Sequence, residues 1–183
     1  MRKTNKHKQA FTLIELMVVI ASLSVLLMVA IPAFGGYVKR SKTSEAMSNI
    51  NMMFRGAVAY YEQEAAGAQG IASGQAGHCI VGTTALFPTT PTSGKQQANF
   101  HTVAEFKSLG FSIVDPVYYG YRILTTGGVS VCGQAASSDV YTFMAMGDLD
   151  ADNVFSRFEL AAGTDASNAL YHSRGFYIVN EPE

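Results

Sequence analysis

The apolar positions of this chain fall into two regimes. Between Leu16 and Phe34 nineteen consecutive residues carry no charge, enough at about 1.5 Å per residue for a helix that nearly crosses a ~30 Å hydrocarbon core. Pro32 and the Gly35-Gly36 pair should weaken or kink that helix. Beyond them the apolar residues recur at helical spacing: Met47, Ile50, Phe54, Ala57 and Tyr61 form a stripe, with Lys39, Arg40, Lys42, Glu45 and Arg55 in the positions between and around it. The pattern predicts one helix from about Phe11 to about Ala66, roughly 80 Å long. Its first half is apolar all round, and its second half must bury a stripe against the rest of the chain.

After the helix the pattern changes. Gly67 to Gly77, rich in Gly, Ala, Gln and Ser, reads as a loop. His78 to Phe100 contains Pro88, Pro91 and Gly94 and should be mostly irregular, with at most a short strand at Cys79–Val81. Thr102 followed by Glu105 is a capping-box pattern and predicts a short helix, Val103–Leu109, closed by Gly110. Val117–Leu124, Val129–Cys132 and Val140–Met146 are β-rich, the first two joined by the hairpin signal Thr125-Thr126-Gly127-Gly128, and Phe176–Val179 adds a last strand. The fold class is α+β, a small antiparallel sheet laid on the outer half of a long helix.

Charge gives the first helix an orientation and a problem. Residues 1–9 hold Arg2, Lys3, Lys6 and Lys8 and no acid, so this flank stays cytoplasmic and the remainder is sent across the membrane. Glu15 lies within the predicted helix, directly before the uncharged run, and at membrane depth a carboxylate costs about 2.5–3.5 kcal/mol by insertion scales and calls for a positive partner. An ordinary secretory signal has its small-residue cleavage site after the apolar core; here the small residue, Ala10, precedes it. Cleavage between Ala10 and Phe11 would remove the basic leader, keep the helix and create an amine on Phe11. That amine is one helical turn from its own Glu15. It could equally meet the Glu15 of a neighbouring, axially offset helix, and that geometry makes a polymer. An uncleaved signal anchor would account for the hydrophobicity and the basic flank but not for Glu15.

The run Ala10-Phe11-Thr12-Leu13-Ile14-Glu15-Leu16 resembles the processing site of type IV prepilins and the related pseudopilins. The resemblance covers roughly the first third of the chain. It implies cleavage after Ala10 by a prepilin peptidase, N-methylation of Phe11, Glu15 as the carboxylate that sets filament register, and Pro32 at the place of a helix-bending proline. Ala10 departs from the family's usual Gly. The implied organisation is a leader over 1–10, a transmembrane and filament-core segment over 11–35, and an extracytoplasmic globular domain over 36–183. The implied function is that of a non-enzymatic pilus subunit, stored in the inner membrane, handled by the pilus assembly machinery and polymerised with copies of itself into a surface filament for adhesion, motility or uptake. A type II secretion pseudopilin shares the amino-terminal motif, and a membrane-anchored periplasmic calcium-binding domain that never polymerises is the reading from another class.

Composition refines this picture. Without the leader about 173 residues remain, the size of one domain, with nine bases against fourteen acids. That balance argues against nucleic-acid binding through a bulk basic patch. Cys79 and Cys132 lie on the side of the membrane where disulfides persist and are read as a pair, although two reduced buried cysteines would fit the sequence as well. Asp148, Asp150, Asp152, Ser156 and Glu159 occupy positions 1, 3, 5, 9 and 12 of a calcium-loop window, with the Val154 carbonyl as a further oxygen. Asn153 stands where that motif wants Gly for a positive φ. The alternative is a solvated acidic turn. His78, His101 and His172 have no zinc-ligand spacing, and no nucleophile motif or phosphate loop is present.

Overall fold

The computed structural model describes residues 11–62 and 78–180. The expected leader with Ala10, the predicted helix beyond Glu62 and the expected Gly67–Gly77 loop lie outside the described residues. The chain forms two compact units, Met1–Val38 and Lys39–Glu183.

Helix α1, Leu13–Glu62, continues through Pro32, Gly35 and Gly36. In the first unit every described residue up to Tyr37 is exposed, among them Leu16, Val18, Leu23, Leu26, Met28 and Ile31. Its most apolar window has a mean hydropathy of 2.7 and none of it is buried within the protein. An apolar surface of this extent marks contact with a membrane or with another chain. The serines inside it are compatible with such a medium: Ser22 Oγ donates to the Val19 carbonyl at 2.9 Å and Ser24 Oγ to the Ile20 carbonyl at 2.7 Å, leaving neither hydroxyl unpaired.

In the second unit α1 buries Thr43, Ala46, Asn49, Ile50, Met53, Ala57 and Tyr61. Ile50, Ala57 and Tyr61 belong to the predicted stripe. Met47 and Phe54 are only partly buried beside the core, so the centre of the stripe falls about one position away from the sequence reading, on Ala46 and Met53. The small Ala46 and Ala57 bring the sheet close to the helix, and Gly56 brings a second segment closer still. A Cβ there would be driven into the backbone carbonyl of Leu109.

The sheet consists of β1 (Gly120–Thr125), β2 (Asp139–Gly147), β3 (Ser156–Thr164), β4 (Leu170–His172) and β5 (Tyr177–Val179). It is antiparallel, in the order β1-β2-β3-β4, with β5 pairing β3 beside β4. Tyr121 and Ile123, Phe143 and Ala145, and Phe158 and Leu160 alternate into the core, the period-2 pattern of a half-buried sheet.

Two sequence expectations are corrected here. Val129–Cys132 is not a strand: it makes one isolated bridge, Val131 with Ile80, and the partner of β1 is β2, reached after a longer connection. The Thr125–Gly128 turn exists, with Gly127 and Gly128 at positive φ, but it leads into this detour. Strand β3 was not expected at all. The short helix is Ala104–Ser108 (α2), preceded by a 3-10 turn at Phe100–Thr102 whose cap is Asn99. Thr102 Oγ1 donates to the Asn99 carbonyl, so the expected capping box is not formed.

The irregular segment 78–119 is held by specific contacts. Phe87 and Tyr121 exchange backbone hydrogen bonds at 2.9 and 2.8 Å, and Thr84 bonds Ile123, which covers the edge of β1. Phe100 packs against Phe87, Phe106, Phe111 and Tyr121 with ring centroids 5.0–5.9 Å apart. Cys79 and Cys132 form the disulfide, joining two segments that no strand holds. From α1, Asn49 Nδ2 donates to the Tyr121 hydroxyl at 2.6 Å and Glu45 accepts the Tyr118 backbone N–H at 2.9 Å. The Tyr141 hydroxyl accepts the Val81 N–H.

Two outcomes follow. Denatured without reductant, the chain should show no free thiol. The double variant Cys79→Ala/Cys132→Ala should lose about 4 kcal/mol in chemical denaturation on the loop-entropy model, and an unchanged midpoint would remove the disulfide from the list of stabilising contacts. Burial pushes the Tyr119 hydroxyl up to about 12 and also raises Tyr121 and Tyr141. Because the folded state keeps these protons longer than the unfolded chain, their contribution is complete below pH ~10 and is lost as pH rises from there. The denaturation midpoint should therefore fall above pH ~10, and the share of the tyrosinate absorbance due to Tyr119, Tyr121 and Tyr141 should appear only on unfolding; the full signal of all nine tyrosines in the folded protein would contradict this.

Candidate functional site

The helix start is built from two side chains. Thr12 donates its backbone N–H and its hydroxyl to the same Glu15 oxygen, at 2.8 and 2.6 Å, and the Glu15 N–H returns to Thr12 Oγ1 at 3.3 Å. This is a capping box, Thr-x-x-Glu, satisfying donors that the first turn leaves open. The pattern that failed at Thr102 and Glu105 is realised here, and the Thr12-x-x-Glu15 spacing carries its signal in the sequence. Phe11 precedes the helix and is 78% exposed. Pro32 lies inside α1 with Phe34 and Ile31 exposed around it.

The second cluster is the β2–β3 turn. Asp148, Asp150 and Asp152 bring carboxylate oxygens within 4.8 Å of one another, a group able to hold a metal ion. Asp148 is buried and organises the turn: Oδ1 accepts the Ala151 N–H at 2.8 Å and Oδ2 the Asn153 N–H at 3.2 Å. Asp152 Oδ1 accepts the Val154 N–H at 2.7 Å. Ala151 and Asn153 both have positive φ, so Asn153 takes the conformation for which the calcium motif would use Gly. Asp150 Oδ2 lies 3.3 Å from Lys39 Nζ of α1. Some desolvation opposes ionisation of Asp150, but the bond and charge of Lys39 outweigh it and hold the carboxyl below its usual range. Lys39 had not been expected at this site; a contact between residues 111 positions apart leaves no local signal.

Two further members of the predicted loop, Ser156 and Glu159, belong to β3. Ser156 opens β3, buried, with its hydroxyl on the Gly147 carbonyl. Glu159 is three residues into β3, paired in register with Met144 and Tyr177, and its carboxylate lies 3.1 Å from Arg157. The twelve-residue window is cut short because Ser156, Phe158 and Leu160 alternate inward as a strand, which turns Arg157 and Glu159 to the opposite face. The carboxylates grouped by the fold are those of the three aspartates.

The family model for the prokaryotic N-terminal methylation motif matches residues 5–31. The type IV major pilin protein PilA of Myxococcus xanthus is 37% identical over 60 residues, 33% of this chain and 27% of that protein. The fimbrial protein EcpC of Eikenella corrodens is 48% identical over 54 residues, 30% of this chain and 35% of that one. The type IV major fimbrial protein FimA of Dichelobacter nodosus is 44% identical over 46 residues, 25% of this chain and 30% of its own. The chain thus spans about a third of the length of these relatives, and no solved structure matches it. With the methylation motif at its amino terminus, opening a long helix whose second half packs on a small antiparallel sheet, the chain is similar to the type IV pilins over its amino-terminal third.

Proposed function

We propose that the chain is the structural subunit of a type IV pilus: cleaved after Ala10 by a prepilin peptidase, methylated on Phe11, held in the inner membrane by residues 11–35 and polymerised into a surface filament with the domain 36–183 outside the membrane. The observation that carries this reading is the methylation motif over residues 5–31, continued by an apolar helix surface with no partner inside the chain. The matched relatives are described as major pilin and fimbrial proteins, which favours a pilus over a secretion pseudopilus. The role is structural rather than catalytic.

In this reading Glu15 is the counter-charge for the Phe11 amine of an incoming subunit. Amino-terminal sequencing of the envelope protein should return a chain starting at Phe11. Glu15→Ala should leave membrane insertion intact and abolish filaments, because the incoming amine loses a desolvated partner. Wild-type filament yield from that variant would reject the assignment.

The acidic turn is proposed as a calcium site, with Asp148, Asp150 and Asp152 as the residues that would hold the ion. Hard carboxylate oxygens suit Ca²⁺, and the positive φ values of Ala151 and Asn153 support the wrapped turn such a site uses. An ion that binds only the folded state raises stability by mass action. The melting midpoint of the full chain in detergent should therefore be higher in calcium than in chelator. Asp150→Asn/Asp152→Asn, which leaves the Asp148 turn bonds in place, should erase the difference. Equal midpoints for the unsubstituted chain would return the cluster to an acidic turn paired with Lys39.

A further inference from the structure

The first charges that follow the apolar run of α1 are all basic. Lys39, Arg40 and Lys42 come before any acid, the next being Glu45. They lie about 8–12 Å of helix beyond Phe34, the depth of a headgroup layer outside a ~30 Å core. In a chain whose portion after the leader is acidic, this local excess is unexpected.

The fold adds to it. Lys42 Nζ lies 4.6 Å from the ring centroid of Tyr118, and Lys95 Nζ, from an irregular segment distant in sequence, lies 5.2 Å from the same ring, both within cation–π range. Two ammonium groups on one tyrosine repel each other unless an anion or solvent intervenes. Among the described residues neither lysine makes an ion pair. The nearby acids are engaged: Glu45 accepts the Tyr118 N–H, and Asp150 is paired with Lys39. Arg40 is exposed.

We propose that Arg40, Lys42, Lys95 and Tyr118 form a docking surface for the phosphate headgroups of anionic phospholipids, in the leaflet opposite the leader. The proposal rests on the membrane-spanning reading of residues 11–35. Successive helix positions turn by about 100°, so Lys39 and Lys42 share one side of α1 while Arg40 points nearly opposite Lys42. A nucleic acid docks on one face, whereas a lipid headgroup layer surrounds the helix and meets every side. Lysine and arginine stems reach back toward an interface, and tyrosine is a residue of that interface.

The test uses the full chain in bilayers containing spin-labelled phosphatidylglycerol or spin-labelled phosphatidylcholine, read as the relative association constant of the two lipids. Phosphatidylglycerol should be preferred, and the preference should shrink with salt. It should fall about fivefold for each cation removed, in Lys95→Gln, which alters only an exposed side chain, and further in Lys42→Gln/Lys95→Gln. Lys107→Gln should leave it unchanged: Lys107 is on α2, whose end meets α1 at Gly56, about 20 Å further along the helix. Equal constants for the two lipids, with motionally restricted lipid present, would overturn the proposal while leaving insertion intact. Absence of restricted lipid with either probe would overturn the membrane reading as well. Single-stranded DNA binding that is lost in Lys42→Gln/Lys95→Gln, with no lipid preference, would assign the cluster to nucleic acid instead.

Discussion

Burial of Ala46, Ile50, Met53, Ala57 and Tyr61 against the inner faces of β1, β2 and β3 is the contact on which the second unit depends. Two of the five strands have only three residues, and such a sheet cannot stand in water without a hydrophobic face to lie on. The helix supplies that face, and each large side chain it buries contributes about 1.5–3 kcal/mol. The irregular segment then has a surface to cover, and the aromatic cluster around Phe100 closes it.

Polar ties give this apolar contact its register. Glu45 and Asn49 reach from the helix to the Tyr118 N–H and the Tyr121 hydroxyl, and the Tyr61 hydroxyl donates to Asn168 at 2.8 Å. Removing one partner would strand a buried donor or acceptor, which costs more than the bond itself contributes. A helix bearing only an apolar stripe is fixed in rotation by that stripe but less firmly along its axis. With these bonds it has one position.

What the sequence disclosed follows from the range of each interaction. The apolar run to Phe34 and the 3.6-residue stripe are local patterns, and both are found in α1. Val140–Met146 and Phe176–Val179 also announced themselves as strands. β3 did not, because Arg157-Phe158-Glu159-Leu160-Ala161-Ala162 has weak β propensity, and its alternation competed with an acidic spacing that suggested a longer calcium loop. Tertiary pairing to β2 decided the matter. The hairpin expected after Leu124 failed for a related reason: its turn chemistry was right, but the better partner lay beyond a detour tied down by the Cys79–Cys132 disulfide. Lys39 on Asp150 and Lys95 beside Lys42 join residues far apart in the chain, and no periodicity reports them.

Gly56 can be regarded as a notch. The carbonyl of Leu109 occupies the space a Cβ would need, so α2 is seated in a gap one residue wide on the surface of α1. A slide of the helix by one turn in either direction would bring Met52 or Tyr60 to that carbonyl, and both are far too large to pass. Pulled along its axis, the outer half of α1 is therefore held by steric interlock as well as by adhesion. Such a catch resists displacement until the surrounding structure opens, whereas an apolar stripe alone would creep.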